Sequence, residues 1–275
     1  MNFTILFWGL FGVYATGWLF CVLSFFRNMD KVRVWGERIL FFGLFFQIFI
    51  IVVTYIQLEG FLFDSLSGLL LFLSLLMIVI YFILNRYFSN QIFAIVFPPV
   101  TLFFLALSIL VSDQAIIAKA FLDKSPVFGR YFLYIHASFS MIGYLLFGVA
   151  CLTSIFFMYQ EKQIKNKTLL LKKVRVPSLG FLDALNYKVI TAGFIFLTIG
   201  LLVGINMKIV SAGGFPETSL RQVLPIVTWA IYAFFLVDRF INGLRGQITA
   251  IWSIMGFLAA VVSFIYEISF LIEKR

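Results

Sequence analysis

Apolar residues in this chain fall into long runs, and most of the charged residues lie in the intervals between them. A helix needs about 20 apolar residues to cross the hydrocarbon core of a bilayer. Eight runs meet that length, at about 3–26, 37–57, 66–84, 91–112, 130–158, 188–208, 222–241 and 249–271. They exceed the roughly 10 residues of a barrel strand and lack its period-two alternation, which selects helices. Each run is apolar all round, so the 3.6-residue moment is weak, and the helices are expected to face lipid on one side and each other on the rest. The predicted fold is all-α, a polytopic transmembrane helical bundle of about eight spans. Residues 1–275 are read as a single membrane domain, with four spans over 1–112, an outer surface loop over 113–129 and a four-span core over 130–271.

Composition sharpens this. The chain is 63% hydrophobic and 12% charged, where a soluble domain averages about 25% charged residues. There is too little polar surface for water to be the solvent. The charge is also unevenly placed. Taking alternate loops, one set carries fourteen of the 21 lysines and arginines against five acids, and the other carries seven against seven. All of the formal net charge of +9 therefore sits on one face. The positive-inside rule makes that face cytoplasmic and puts both termini outside, in the inner (cytoplasmic) membrane of a cell. The basic charge is an insertion signal with attraction to anionic lipid, and nucleic acid is not needed to explain it. Met1 is followed by Asn2 and Phe3 without a basic n-region, so the first span is expected to stay as a permanent helix.

Chemistry-bearing residues are few. Cys21 and Cys151 lie singly inside spans and are expected to be small buried hydrophobes. Gln47 and Thr54 are the expected interhelical hydrogen bonders of the second span. Gly200 and Gly204 form a G-x-x-x-G face for close helix contact. The stretch Lys162–Arg175 is strongly basic, and the turn after Pro177, with Leu179, Leu182 and Leu185 at helical spacing, reads as an interfacial elbow or a solvated connector. Asp238 and Arg239 read as a topological anchor; Glu267, near the outer end of the last span, is either solvated or paired with Lys208 or Arg221.

His136 is the single histidine. It lies six residues past Arg130, about 9 Å into the fifth span, with Phe132, Phe139, Ser140 and Gly143 within two turns on its face. An imidazole at that depth is costly unless it is used. A neutral imidazole can ligate heme iron, and it can equally make one interhelical hydrogen bond and bind nothing. At Gly143 either a flat ligand or another helix could come close. Phosphate-binding, dinucleotide-binding, metalloprotease and nucleophile-elbow motifs are absent, and one histidine with two distant cysteines cannot build a closed zinc site.

Four blocks in order, from about 130 to 256, carry a resemblance. They are "RYFLYIHASFSMIGYLLFG", the exit "MYQEKQIKNK", the elbow and span "PSLGFLDALNYKVITAGFIFLTIGLLVG", and "TWAIYAFFLVDRFINGLRGQITAIWSIMGF" with its Arg-x-x-x-Gly-x-x-Gly exit. The arrangement resembles the CcsA/HemX-type cytochrome c assembly membrane proteins. That resemblance implies an integral membrane protein handling heme, with paired histidines ligating it near the outer face and a tryptophan-rich outward loop beside it. Carried over, His136 is the heme-binding residue, an axial ligand of the iron. The family's second histidine falls at Val237, and the loop Lys208–Arg221 has no tryptophan. Both departures bring the chain closer to the HemX-like branch. The other axial position is then open, water-bound, or filled by a partner or by Met141 or Met207.

The function expected is heme binding or relay near the outer face during cytochrome c assembly. Its partners would be the lipid bilayer and a membrane protein of cytochrome c assembly or an apocytochrome. The alternative is a non-catalytic membrane regulator or partner-binding subunit linked to heme biosynthesis, acting through Lys162–Arg175. A transporter is a third class, but the broken helices and midplane charges that mark one are not evident. An enzyme is not expected, because His136, Glu217 and Glu267 belong to separate elements; at most the chain is an accessory subunit of a heme lyase.

Overall fold

The computed structural model describes residues 3–27, 29–58, 65–88, 91–111, 127–166, 178–212 and 219–273. These form eight helices, α1 (Phe3–Arg27), α2 (Asp30–Leu58), α3 (Leu66–Phe88), α4 (Gln91–Leu110), α5 (Val127–Lys165), α6 (Leu179–Ala212), α7 (Leu220–Asn242) and α8 (Gln247–Glu273). All eight are long and apolar enough to cross a membrane, as the runs predict. Of the outer loop expected over 113–129, residues 113–126 lie outside the described residues and 127–129 are the first turn of α5; most of the basic stretch (167–177) and the loop over 213–218 with Glu217 also lie outside the described residues.

The chain divides into two compact units, Met1–Asp123 and Lys124–Arg275. In the first, α1 and α2 run antiparallel at close range. A Cβ at Gly17 would come within 2.9 Å of Leu40, one at Gly36 within 2.7 Å of Cys21, and one at Gly43 within 2.6 Å of Tyr14. Gln47 is fully buried and joins three helices: it accepts from the Tyr14 hydroxyl (2.7 Å) and donates to Ser74 Oγ (2.6 Å) and the Leu71 carbonyl (3.1 Å). With no water at this depth, such a side chain must be satisfied by its neighbours. Thr54 does not share this role; its hydroxyl turns back to the Ile50 carbonyl of its own helix at 2.8 Å. A threonine in a helix has that acceptor one turn away whatever lies opposite. Both cysteines are buried and free, as expected of small hydrophobes.

α4 contains Pro98 and Pro99. Pro99 has no N–H, which leaves the Ile95 carbonyl four residues back without its helical donor. The Trp18 indole N–H of α1 donates to that carbonyl at 3.2 Å. Ser67 of α3 and Ser108 of α4 bridge reciprocally, each hydroxyl donating to the other's carbonyl (2.9 and 2.8 Å).

In the second unit α5 is 39 residues long, about 58 Å at 1.5 Å per residue and nearly twice the bilayer core. It packs against α6 and α8, and α7 packs on α8. Phe147 of α5 stacks on Tyr232 of α7 with ring centroids 3.7 Å apart, and Gly256 of α8 leaves the room that Tyr232 occupies. The leucine-spaced turn after Pro177 is helical, as its spacing predicts, and it runs on into the sixth span without a connector. Residues from Leu179 onward are the first turns of α6, opened by Ser178, whose hydroxyl accepts from the Phe181 N–H at 3.3 Å. Leu182 is buried there with Phe157 and Ala250, so these leucines pack against α5 and α8 instead of lying on a surface.

Candidate functional site

The site is built on the α5–α6 seam. Each step forward along α5 is matched by an equal step back along α6: Phe147 lies over Gly193, Gly143 over Leu197, Ser140 over Gly200, and His136 over Gly204. A Cβ at Gly193 would sit 2.8 Å from the Phe147 ring, and one at Gly204 would sit 2.7 Å from the His136 ring. A Cβ at Gly200 would collide with Ser140. At Gly143 the neighbour is the α6 backbone, 3.0 Å from a Cβ, so a helix takes the space there. The G-x-x-x-G pair does give tight helix contact, and it also makes the slot that the single histidine enters.

His136 is half-buried, and its Nδ1 lies 2.7 Å from the Gly200 carbonyl oxygen. A carbonyl only accepts, so Nδ1 carries the proton and donates, and a neutral ring then bears its lone pair on Nε2. This is the orientation device by which protein imidazoles present one nitrogen to a metal. Ser140 and Gly143 share this helix-facing side, whereas Phe139 pairs with Phe196 at 5.5 Å and Phe132 is exposed.

The two thioethers separate by position. Met207 follows Gly204 by three residues, one helical turn beyond the residue that His136 meets. Met141 is buried, five residues beyond His136 and well round the helix from it. Val237 cannot have stood opposite His136. It is 55% exposed on α7, two residues before Arg239, and Arg239 is bonded to Asp183 near the start of α6. Asp183 and Gly200 are about 26 Å apart along the α6 axis, so Val237 belongs to the opposite end of this unit. Sequence order hides this, because α7 runs back from the end where His136 stands.

That opposite end holds a polar cluster that the chain's charge pattern did not reveal. Arg239 meets Asp183 at two points, 2.8 and 3.2 Å, with its guanidinium 4.6 Å over the Tyr187 ring. The same carboxylate accepts from the Gly246 N–H at 3.2 Å. Gly243 (φ 65°) caps α7, and Gly246 (φ 80°) turns the chain into α8. These left-handed conformations suit glycine and not L-residues. The Arg-x-x-x-Gly-x-x-Gly exit is thus a cap, a turn and an ion pair with α6; Arg239 is no mere anchor. Asp238 instead pairs along its own helix with Asn242. Beside the cluster the buried Asn186 amide donates to the Ala150 carbonyl (2.8 Å) and Ser154 Oγ (2.7 Å). Among the described residues no group of three His, Cys, Asp or Glu side chains could hold a metal ion. Glu267 lies in α8; the side chains of Lys208 and Arg221 lie outside the described residues.

The family described as "Cytochrome C assembly protein" matches residues 63–271, and the chain belongs to that family. The match begins at α3, so it takes in two more spans than the blocks from 130 onward. Relatives named "Cytochrome c biogenesis protein CcsA" include one from Chlamydomonas reinhardtii, 31% identical over 51% of this chain and 38% of the relative. One from Acorus calamus is 39% identical over 28% of this chain and 24% of its own length, and one from Synechococcus sp. (strain CC9902) is 24% identical over 51% and 53%. The chain thus spans about half or less of these relatives' lengths. It is a multi-pass membrane protein of a cytochrome c assembly family.

Proposed function

We propose that this protein serves cytochrome c biogenesis as a heme-handling membrane component, with His136 as an axial ligand of heme iron near the outer membrane face. The observation that carries the reading is the Nδ1 to Gly200 hydrogen bond of 2.7 Å, which fixes ring orientation and tautomer. The donor set fits one axial position: an imidazole with its other nitrogen tied to a carbonyl is a common iron ligand. Heme would bring the iron chemistry; this chain's part is to hold and orient it. Met207, one helical turn beyond Gly204, is the thioether candidate on this seam. The reading takes residues 1–275 as one domain of the cytoplasmic membrane with both termini outside. It sets the chain nearer the HemX-like branch, since the sequence has one histidine and no tryptophan in the loop Lys208–Arg221. Partners would be another membrane protein of the assembly system or an apocytochrome, with this chain as an accessory and not the catalyst. The test is spectroscopic: hemin added to purified protein should give a Soret band that His136→Ala loses, and no band in the wild type would overturn the reading.

A second reading, a partner-binding regulator, draws on the length of α5. The helix carries Lys162 and Lys165 beyond bilayer depth, Lys165 being braced by Glu161 at 2.8 Å. Neutralising both lysines should abolish partner capture and leave insertion intact; unchanged capture would remove this reading.

A further inference from the structure

The glycines of α1 and α2 divide into two kinds. Gly17, Gly36 and Gly43 are filled by the facing helix, since a Cβ on any of them would come under 3.0 Å of it. Gly12 differs: a Cβ there would meet nothing within 4 Å, and at Gly9 the nearest atom, on Phe46, is 3.9 Å away. Glycine in a helix interior costs about 1 kcal/mol relative to alanine, and helix packing does not account for this pair. Together they lie in an open groove of about 580 Å³ on the α1–α2 face, lined from α2 by Trp35, Arg38 and Phe42. That volume lies within the range of small-molecule sites, about 300–1,000 Å³.

Arg38 sets the chemistry of the occupant. It stands eight residues, about 12 Å, into α2 from Asp30, at the end of this unit that also carries Arg27, Lys31 and Arg33. Its guanidinium lies 5.4 Å over the exposed Trp35 ring. Among the described residues no carboxylate pairs with it; the neighbouring Glu37 is turned to Arg33. Arg38 stands at the basic end of the α2 run, where anionic headgroups collect, and its planar fork matches a phosphate. The rest of the groove is apolar apart from Thr16, whose hydroxyl is turned to the Gly12 carbonyl at 2.8 Å. A ligand with a phosphate at one end and a hydrocarbon chain behind it satisfies both halves, and a bilayer supplies it from the side.

We propose that the α1–α2 groove is a binding site for an anionic phospholipid, with the phosphate on Arg38 and an acyl chain lying over Gly12 and Gly9. The site is separate from His136 and stands whether or not heme binds.

The test uses the full chain purified in detergent, with brominated phosphatidylglycerol or brominated phosphatidylcholine as the quencher of Trp35 emission. Trp35→Phe defines the Trp35 share of the signal. Phosphatidylglycerol should quench that share at about fivefold lower mole fraction, the preference expected of one basic contact to an anionic lipid. Arg38→Gln should bring the ratio of the two lipids to about one. Gly12→Leu should reduce quenching by both, and because the space over Gly12 is open this variant should fold as the wild type does. Equal quenching by the two lipids in the wild type, or an unchanged ratio in Arg38→Gln, would overturn the proposal; so would undiminished quenching in Gly12→Leu.

Discussion

Arg239 and Asp183 meet at two points, with their side chains only 10% and 13% exposed, and so tie the end of α7 to the start of α6. Fifty-six positions separate the two residues. Removing one member of a buried pair leaves the other charged and unmatched, which in water-soluble proteins costs about 3–5 kcal/mol. Asp183→Asn should therefore lower the thermal unfolding midpoint in detergent, and Arg239→Gln should do the same. The double variant should be less damaged than the sum of the two, because neither charge is then stranded. Strict additivity would show that the pair is not coupled.

The turn that positions this pair makes its own prediction. Gly246 has φ 80° and donates its N–H to Asp183. Gly246→Ala should cost about 1–2 kcal/mol, the penalty of the left-handed conformation for an L-residue. Gly243→Ala, at φ 65° with open space around the added methyl, should cost a similar amount. Chemical denaturation in mixed micelles reads both, and an unchanged midpoint would show that the turn rearranges freely.

Much of this fold is written in the sequence. The eight spans follow from unbroken apolarity, because the bilayer fixes the length of a crossing element. Gln47 was legible because an amide inside lipid must find partners. Helix register was not. α5 and α6 are apolar all round, so no moment says which face of one meets which face of the other. That is why Gly200 and Gly204 could be read as a contact face while the residue they contact, His136, could not. The Asp183–Arg239 pair was hidden for a related reason, since both residues look like ordinary charges at the inner ends of spans. The continuation of α6 back to Leu179 was missed because charged and polar residues there end the apolar run, although the helix itself goes on.

Trp18 supplies a test of the first unit. Its indole N–H satisfies the Ile95 carbonyl that Pro99 strands. Trp18→Phe keeps the ring bulk and removes the donor, so it should cost about 1–3 kcal/mol for a buried unsatisfied carbonyl. Adding Pro99→Ala restores a helical donor to that carbonyl and should recover most of the loss. A double variant no more stable than Trp18→Phe alone would contradict this assignment.

Gly204 links packing to the proposed heme site. A Cβ there would stand 2.7 Å from the His136 ring, well inside contact distance, so Gly204→Ala must displace the imidazole or part the helices. It should weaken hemin binding by at least tenfold while the far end of the unit, held by Asp183 and Arg239, stays folded. Gly12→Ala is the matched control, since its added methyl meets nothing, and it should leave hemin binding unchanged.

The most direct measurement is the Soret spectrum of His136→Gly with and without added imidazole. The variant should lack the wild-type band, and free imidazole entering the vacated slot against Gly204 should restore it. A His136→Gly protein that keeps the full band without imidazole would contradict the claim that this nitrogen ligates heme.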